Sequence, residues 1–270
     1  MKIGLLDSGP FAFSGLRTLL GSSMLLLVVL ISQRTIPITR YKDILVLSIF
    51  NTIGSVGLIQ YALIDATATR TAILMFTYPF WTLLLAWPLL GERIKGLQWF
   101  AIILAFSGLL IVLRPQELNG ATSSNFFAIA AAISWAIASI IIKRILEKNP
   151  MDLLTLTASQ MAIGSFCLLF IAFLLDESIP TMTPRFILAV SITGFLSTGL
   201  GWLLWAYLLD KLTAGATSMI TLLVPVIALT TASWHLGETI QRHDFFGIIF
   251  ILIGLALLTY FGFQDTRRTD

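Results

Sequence analysis

A spacing that occurs twice constrains this chain more than any other feature. Tyr61, Pro79, Gly91, Glu92 and Gly108 reappear 146 residues later as Tyr207, Pro225, Gly237, Glu238 and Gly254. Thr52/Thr198, Leu58/Leu204, Thr67/Thr213, Ala68/Ala214, Thr71/Thr217 and Leu109/Leu255 keep the same offset. Leucine matches carry little weight in a chain that is 57% apolar. A proline with Gly-Glu 12 residues on carries more. Proline interrupts helical hydrogen bonding and glutamate resists apolar surroundings, so neither recurs by accident. The chain reads as two copies of one hydrophobic unit.

Only 11% of the 270 residues are charged and the mean hydropathy is +0.92, whereas soluble domains carry about 25% charged residues. No water-soluble fold hides this much apolar sequence, so the solvent is lipid. Nine stretches lack Asp, Glu, Lys and Arg: 18–33, 44–64, 71–91, 96–113, 118–142, 153–175, 186–209, 212–237 and 245–264. Most reach the ~20 residues that cross a hydrocarbon core, the first by including 11–17. Such runs, without period-two alternation, satisfy their backbone only as helices. The expected fold is an all-α polytopic membrane protein with nine spans in this chain. Cys167 alone supports no disulfide framework. Asp7 and Pro10 interrupt the N-terminal segment, which does not read as a cleavable signal peptide.

The pI of about 9.2 does not point to nucleic acid, because the basic residues are spread through loops. One set of alternating loops holds eleven Lys and Arg, from Arg34 to Arg268, and the other holds five. That bias predicts a multi-pass protein of the cell membrane (plasma or inner) with a cytoplasmic C-terminus.

The second repeat, 125–263, holds five spans, and the first, 1–116, holds four. An odd number of spans per repeat makes the two copies enter the membrane from opposite sides, so the repeats are inverted. The missing first span of the first repeat has a stump: Lys2 and Pro10 echo Lys143 and Pro150, and Gly21-Ser22 echo Gly164-Ser165. Residues 1–6 thus read as the last turn of a helix lacking its first ~18 residues. Either the protein has nine spans or Met1 is an internal methionine; the second is favoured.

Several phrases resemble EamA-type members of the drug/metabolite transporter superfamily. They are Pro10-Phe11-Ala12-Phe13-Ser14-Gly15-Leu16-Arg17, Pro79 with Gly91-Glu92-Arg93-Ile94, Ser134-Trp135-Ala136, Gln160, and Pro225 with Gly237-Glu238. The resemblance covers nearly the whole chain. It implies ten helices in two inverted repeats of five helices, exporting small metabolites or amino acids, with the first helix of repeat one largely missing here.

The chemistry then rests on polar residues inside spans, which line a wet cavity or find partners. No G-x-x-x-x-G-K-[ST] and no H-E-x-x-H occurs, so no nucleotide, metal or other cofactor is expected, and the chain is not expected to be an enzyme. Ser48, Asn51, Thr52 and Ser55 share one helical face, and Gly194, Ser197, Thr198 and Gly201 are their equivalents, joined by Thr193 and Trp202. These stripes line a substrate cavity or simply allow close helix packing.

Arg17, the one basic residue deep in a span, either anchors at the interface or contacts an anionic or zwitterionic substrate. Pro79 and Pro225, duplicated mid-span, act as hinges or static kinks. Tyr78 and Trp81 flank Pro79 as aromatic walls. Tyr207 and Thr221 are further cavity candidates, and the resemblance adds Trp135 and Gln160. Glu92 and Glu238 end corresponding helices, where capping outweighs proton coupling.

The reading is a secondary transporter working by alternating access, with a small-molecule substrate and the bilayer as partners. The alternative is a non-transporting accessory or receptor-like membrane protein. Substrate identity, coupling ion and oligomeric state are not legible.

Overall fold

The computed structural model describes residues 1–35, 40–91, 96–113, 122–148, 152–204, 207 and 242–266. Among these, every regular element is helical. A single-turn 3-10 helix, Lys2–Leu6, leads into α1, Pro10–Ile31. Then follow α2 (Tyr41–Ala62), α3 (Ala68–Met75), α4 (Tyr78–Leu90), α5 (Gln98–Leu113) and α6 (Thr122–Lys148). The last three are α7 (Leu153–Leu174), α8 (Pro184–Leu204) and α9 (Arg242–Thr266).

Among the described residues, six segments are long and apolar enough to cross a bilayer: α1, α2, Arg70–Leu89 across α3 and α4, Ser123–Leu146 in α6, α7 and α8. Shorter apolar helices, Trp99–Gly108 and Phe245–Gly254, form the middles of α5 and α9. The eighth expected stretch, 212–237, lies outside the described residues, as do Thr221, Pro225, Glu92 and Glu238. Large apolar side chains such as Leu27, Leu30, Phe166, Phe170 and Phe173 point outward, as they do when lipid is the solvent.

The helix starts follow local chemistry. Pro10 opens α1, where its missing N–H costs nothing. The Glu177 carboxylate accepts from the next two backbone donors, Phe11 N–H at 3.1 Å and Ala12 N–H at 2.8 Å. Asp152 caps α7 by accepting from Thr155 N–H at 2.8 Å, and Thr183 caps α8 by accepting from Phe186 N–H at 3.0 Å. Gly91 ends α4 at φ 73°, a left-handed conformation that suits glycine.

Two helices widen at matching places. Residues Ser48–Gly57 of α2 and Ile192–Leu200 of α8 are π-helical, overlapping when aligned at the 146-residue offset. A hydroxyl serves the widened turn in α8, where Thr198 Oγ1 donates to the Thr193 carbonyl at 2.8 Å. Mid-helix π segments of this kind cluster at functional sites.

Helices α1 and α7 pack antiparallel, Gly15 meeting Leu169 and Leu25 meeting Ala158. Helix α8 lies on α1, and α2 lies on α7 and under α6. Residues matched in sequence make like contacts. A Cβ on Gly21 would come within 2.5 Å of Thr198, and one on Gly164 within 2.4 Å of Thr52. The α5–α9 crossing shows the same reciprocity. A Cβ on Gly108 would stand 2.6 Å from the Gly247 carbonyl, and one on Gly254 would stand 2.9 Å from the Ala101 carbonyl. Residues 101 and 247, like 108 and 254, are 146 apart.

Gly108→Leu and Gly254→Leu should therefore force α5 and α9 apart, at the ~1–3 kcal/mol typical of overpacking. Thermal unfolding of purified protein checks this. The expected outcome is a lowered midpoint for both variants and little change for Gly201→Leu, whose added Cβ meets nothing nearer than 3.6 Å.

Candidate functional site

Three aromatic rings from three helices form one ladder. Tyr78 on α4 stacks on Trp135 of α6 with centroids 5.3 Å apart and planes 23° apart. Trp135 stacks in turn on Trp202 of α8 at 5.9 Å and 21°. All three rings are half-buried. The sequence singled out each of these residues, and the fold brings them together.

A break in the chain puts Tyr78 in place. The span Arg70–Leu89 is interrupted at Phe76-Thr77, and Pro79 is the second residue of the helix that follows. Pro79 has no N–H to offer the carbonyl four residues back, so α3 stops and α4 starts afresh. Thr77 bridges the break: its Oγ1 donates to the Leu74 carbonyl at 2.6 Å and accepts from Trp81 Nε1 at 3.1 Å. Trp81 is thereby held beside the ladder, its ring edge-on to Phe80 at 5.1 Å.

Two polar pairs flank the α1–α7 contact. Arg17 Nη1 donates to Thr198 Oγ1 at 3.1 Å, and Thr52 Oγ1 donates to Gln160 Oε1 at 2.8 Å. Arg17 and Gln160 are equivalent residues, related by the 143-residue offset that also relates Gly21 to Gly164. Their partners Thr198 and Thr52 are equivalent as well. Close approach recurs on the next contact: Ser48 Oγ lies 2.8 Å from the Gln160 carbonyl, and a Cβ on Gly194, the equivalent of Ser48, would lie 3.0 Å from the Arg17 carbonyl. Among the described residues, Arg17 Nε, Gln160 Nε2, Ser55 Oγ and Ser159 Oγ are buried without a hydrogen-bond partner.

The other expected site residues fall in different places. Asn51 and Ser55 are buried on α2, with Ser48 and Thr52. Their counterparts on α8 divide: Thr198 is buried and Ser197 is exposed. Tyr207 is 60% exposed. Sequence reasoning missed the pairing of Arg17 with Thr198 and the burial of Ser159. An apolar groove of about 310 Å³ between α2 and α6, lined by Phe50, Leu58, Phe126 and Ile133 among others, contains none of the ladder.

The end of the bundle where α1 and α8 begin is tied together. Arg185 Nη2 and Nε donate to Asp7 Oδ1 and Oδ2 at 2.7 and 2.9 Å, and Thr183 Oγ1 donates to Oδ2 at 3.1 Å. The Arg185 guanidinium holds the Asp7 carboxyl below its ordinary value, with help from Thr183. At the opposite end Arg34 pairs with Asp152, joining the end of α1 to the start of α7.

Known proteins share this sequence pattern. The profile of the EamA-like transporter family matches residues 1–114 and 122–260. A Bacillus subtilis protein named "Uncharacterized transporter YoaV" is 27% identical, over 96% of this chain and 90% of its own length. A Salmonella typhimurium protein named "Probable amino-acid metabolite efflux pump" is 28% identical, over 100% of this chain and 91% of its own. A crystal structure at 16% identity matches with a TM-score of 0.70 over 96% of this chain and 90% of that one, a likeness of fold alone.

The Asp7 tie has a defined pH dependence. A depressed carboxyl contributes stability above its unfolded pKa, about 4, and loses it as pH falls through the lower folded value. Unfolding midpoints measured against pH should fall in that acid window for the wild type. Asp7→Asn should start lower at neutral pH and lack that component.

Proposed function

We propose that this chain, which belongs to the EamA-like transporter family, is a secondary transporter that exports small metabolites or amino acids by alternating access. The observation that carries this reading is the ladder Tyr78–Trp135–Trp202, because it draws on residues from both copies of the repeat. A site built between two halves is one that their relative movement opens and closes. In this reading residues 1–116 and 125–263 are repeats of opposite orientation, and the site lies near the midplane between them.

The ladder offers flat apolar faces, and the buried polar side chains of α1, α2 and α7, Arg17, Ser55 and Gln160 among them, offer directed hydrogen bonds. Such a mixture suits small metabolites with an organic body and polar ends. The name of the Salmonella relative, an amino-acid metabolite efflux pump, supports the same substrate class. The helix break before Pro79 lies beside the rings, which favours the hinge reading of that proline. The loop charge bias supports a cytoplasmic C-terminus in the cell membrane.

Proteoliposomes loaded with amino acids test the proposal. Folded wild-type protein should release at least one of them faster than empty liposomes do. Trp135→Ala should slow that release about fivefold, since a stacked aromatic contact contributes about 0.5–1.5 kcal/mol. Wild-type protein that is folded and releases none would count heavily against the reading.

A further inference from the structure

Arg17 keeps a charge where a charge is hardest to keep. It is 5% exposed, eight residues into the span Pro10–Ile31, and among the described residues its Nε meets no acceptor. Its one hydrogen bond among the described residues is to a neutral hydroxyl, Thr198 Oγ1. No described carboxylate pairs with it. A guanidinium does not shed its proton to escape this cost, and an intramembrane charge without a partner marks a functional position.

Packing does not account for the charge. Gln160 occupies the equivalent place in the other repeat and bonds the equivalent threonine, Thr52, with a neutral amide. The crossing therefore requires a polar side chain there and not a cation. Nη1 of Arg17 is committed to Thr198, which leaves the side-on edge of the guanidinium, Nε with Nη2. That edge is the planar fork that fits a carboxylate with two parallel hydrogen bonds. From Thr198, α8 continues four residues, about 6 Å of rise, to Trp202 and the aromatic ladder.

We propose that Arg17 selects the charge of the substrate: it binds the carboxylate of a small organic acid or amino acid whose apolar body lies on the Tyr78–Trp135–Trp202 ladder. This rests on the transporter reading above, and binding separates the two. Hydrocinnamate and its amide, hydrocinnamamide, share an apolar body and differ in the charge.

Tryptophan fluorescence of the protein in phosphatidylcholine nanodiscs reads the affinity of each. The wild type should bind the acid about 10- to 100-fold more tightly than the amide, the span expected of a charged hydrogen bond. Arg17→Gln should fold, because Gln160 already fits this crossing, and should bind acid and amide alike. Arg17→Lys keeps the charge without the fork, and its preference should fall below that of the wild type; it decides the matter if R17Q does not fold.

No binding of hydrocinnamate, equal binding of acid and amide by the wild type, or a preference that survives these substitutions overturns the proposal. A preference that vanishes when half the lipid is phosphatidylglycerol assigns Arg17 to a lipid phosphate and overturns it too. A preference that holds while the liposomes show no flux upholds charge selection and strikes the transporter reading instead.

Discussion

Lipid tails are as apolar as leucine, so helices in a bilayer are held by close packing and not by the expulsion of water. In this chain that packing depends on glycines that let one helix touch another. Gly21 and Gly164 receive the side chains of Thr198 and Thr52, while Gly108 and Gly254 receive the backbones of α9 and α5. The same closeness creates the polar pairs. Arg17 lies one turn before Gly21, and Gln160 one turn before Gly164, so each reaches the threonine that its glycine admits. A bulkier residue at either glycine would pull apart a helix contact and a hydrogen bond together.

Much of this was legible because lipid simplifies the code. Long uncharged runs specify helices. The ladder was legible as three separate candidates. Its assembly was not, because the stacking of Trp135 on Trp202 joins residues 67 apart on different helices. The equivalence of Arg17 and Gln160 was hidden by a shift in register. Gly21 and Gly164 are 143 apart, whereas Thr52 and Thr198 are 146 apart. The connections between these points therefore differ by three residues, and one fixed offset misses the pair.

Other differences have equally local causes. The polar stripe on α2 was drawn with ordinary helical periodicity, yet the segment winds as a π-helix. Its four residues are buried all the same, since positions four apart stay close on the wider helix. On α8 the same stripe leaves Ser197 exposed while Thr198 faces Arg17. Pro79, expected inside a continuous helix, is instead the second residue of a new one, with Thr77 bridging the break. No propensity reports such a choice, since it depends on which hydroxyl is near enough to bridge the break.

The equivalent contacts have a consequence for the proposed mechanism. A scaffold whose halves pack alike offers two arrangements of similar energy, which alternating access requires. A ligand moves such an equilibrium only by binding one arrangement better than the other. Were residues 17 and 160 both glutamine, the two half-sites would present the same chemistry to a ligand, and little would favour either face. One arginine breaks that balance without disturbing the packing. On the proposed mechanism, the difference between Arg17 and Gln160 is therefore where the protein would acquire a preference, both for the charge of what it binds and for the half that holds it.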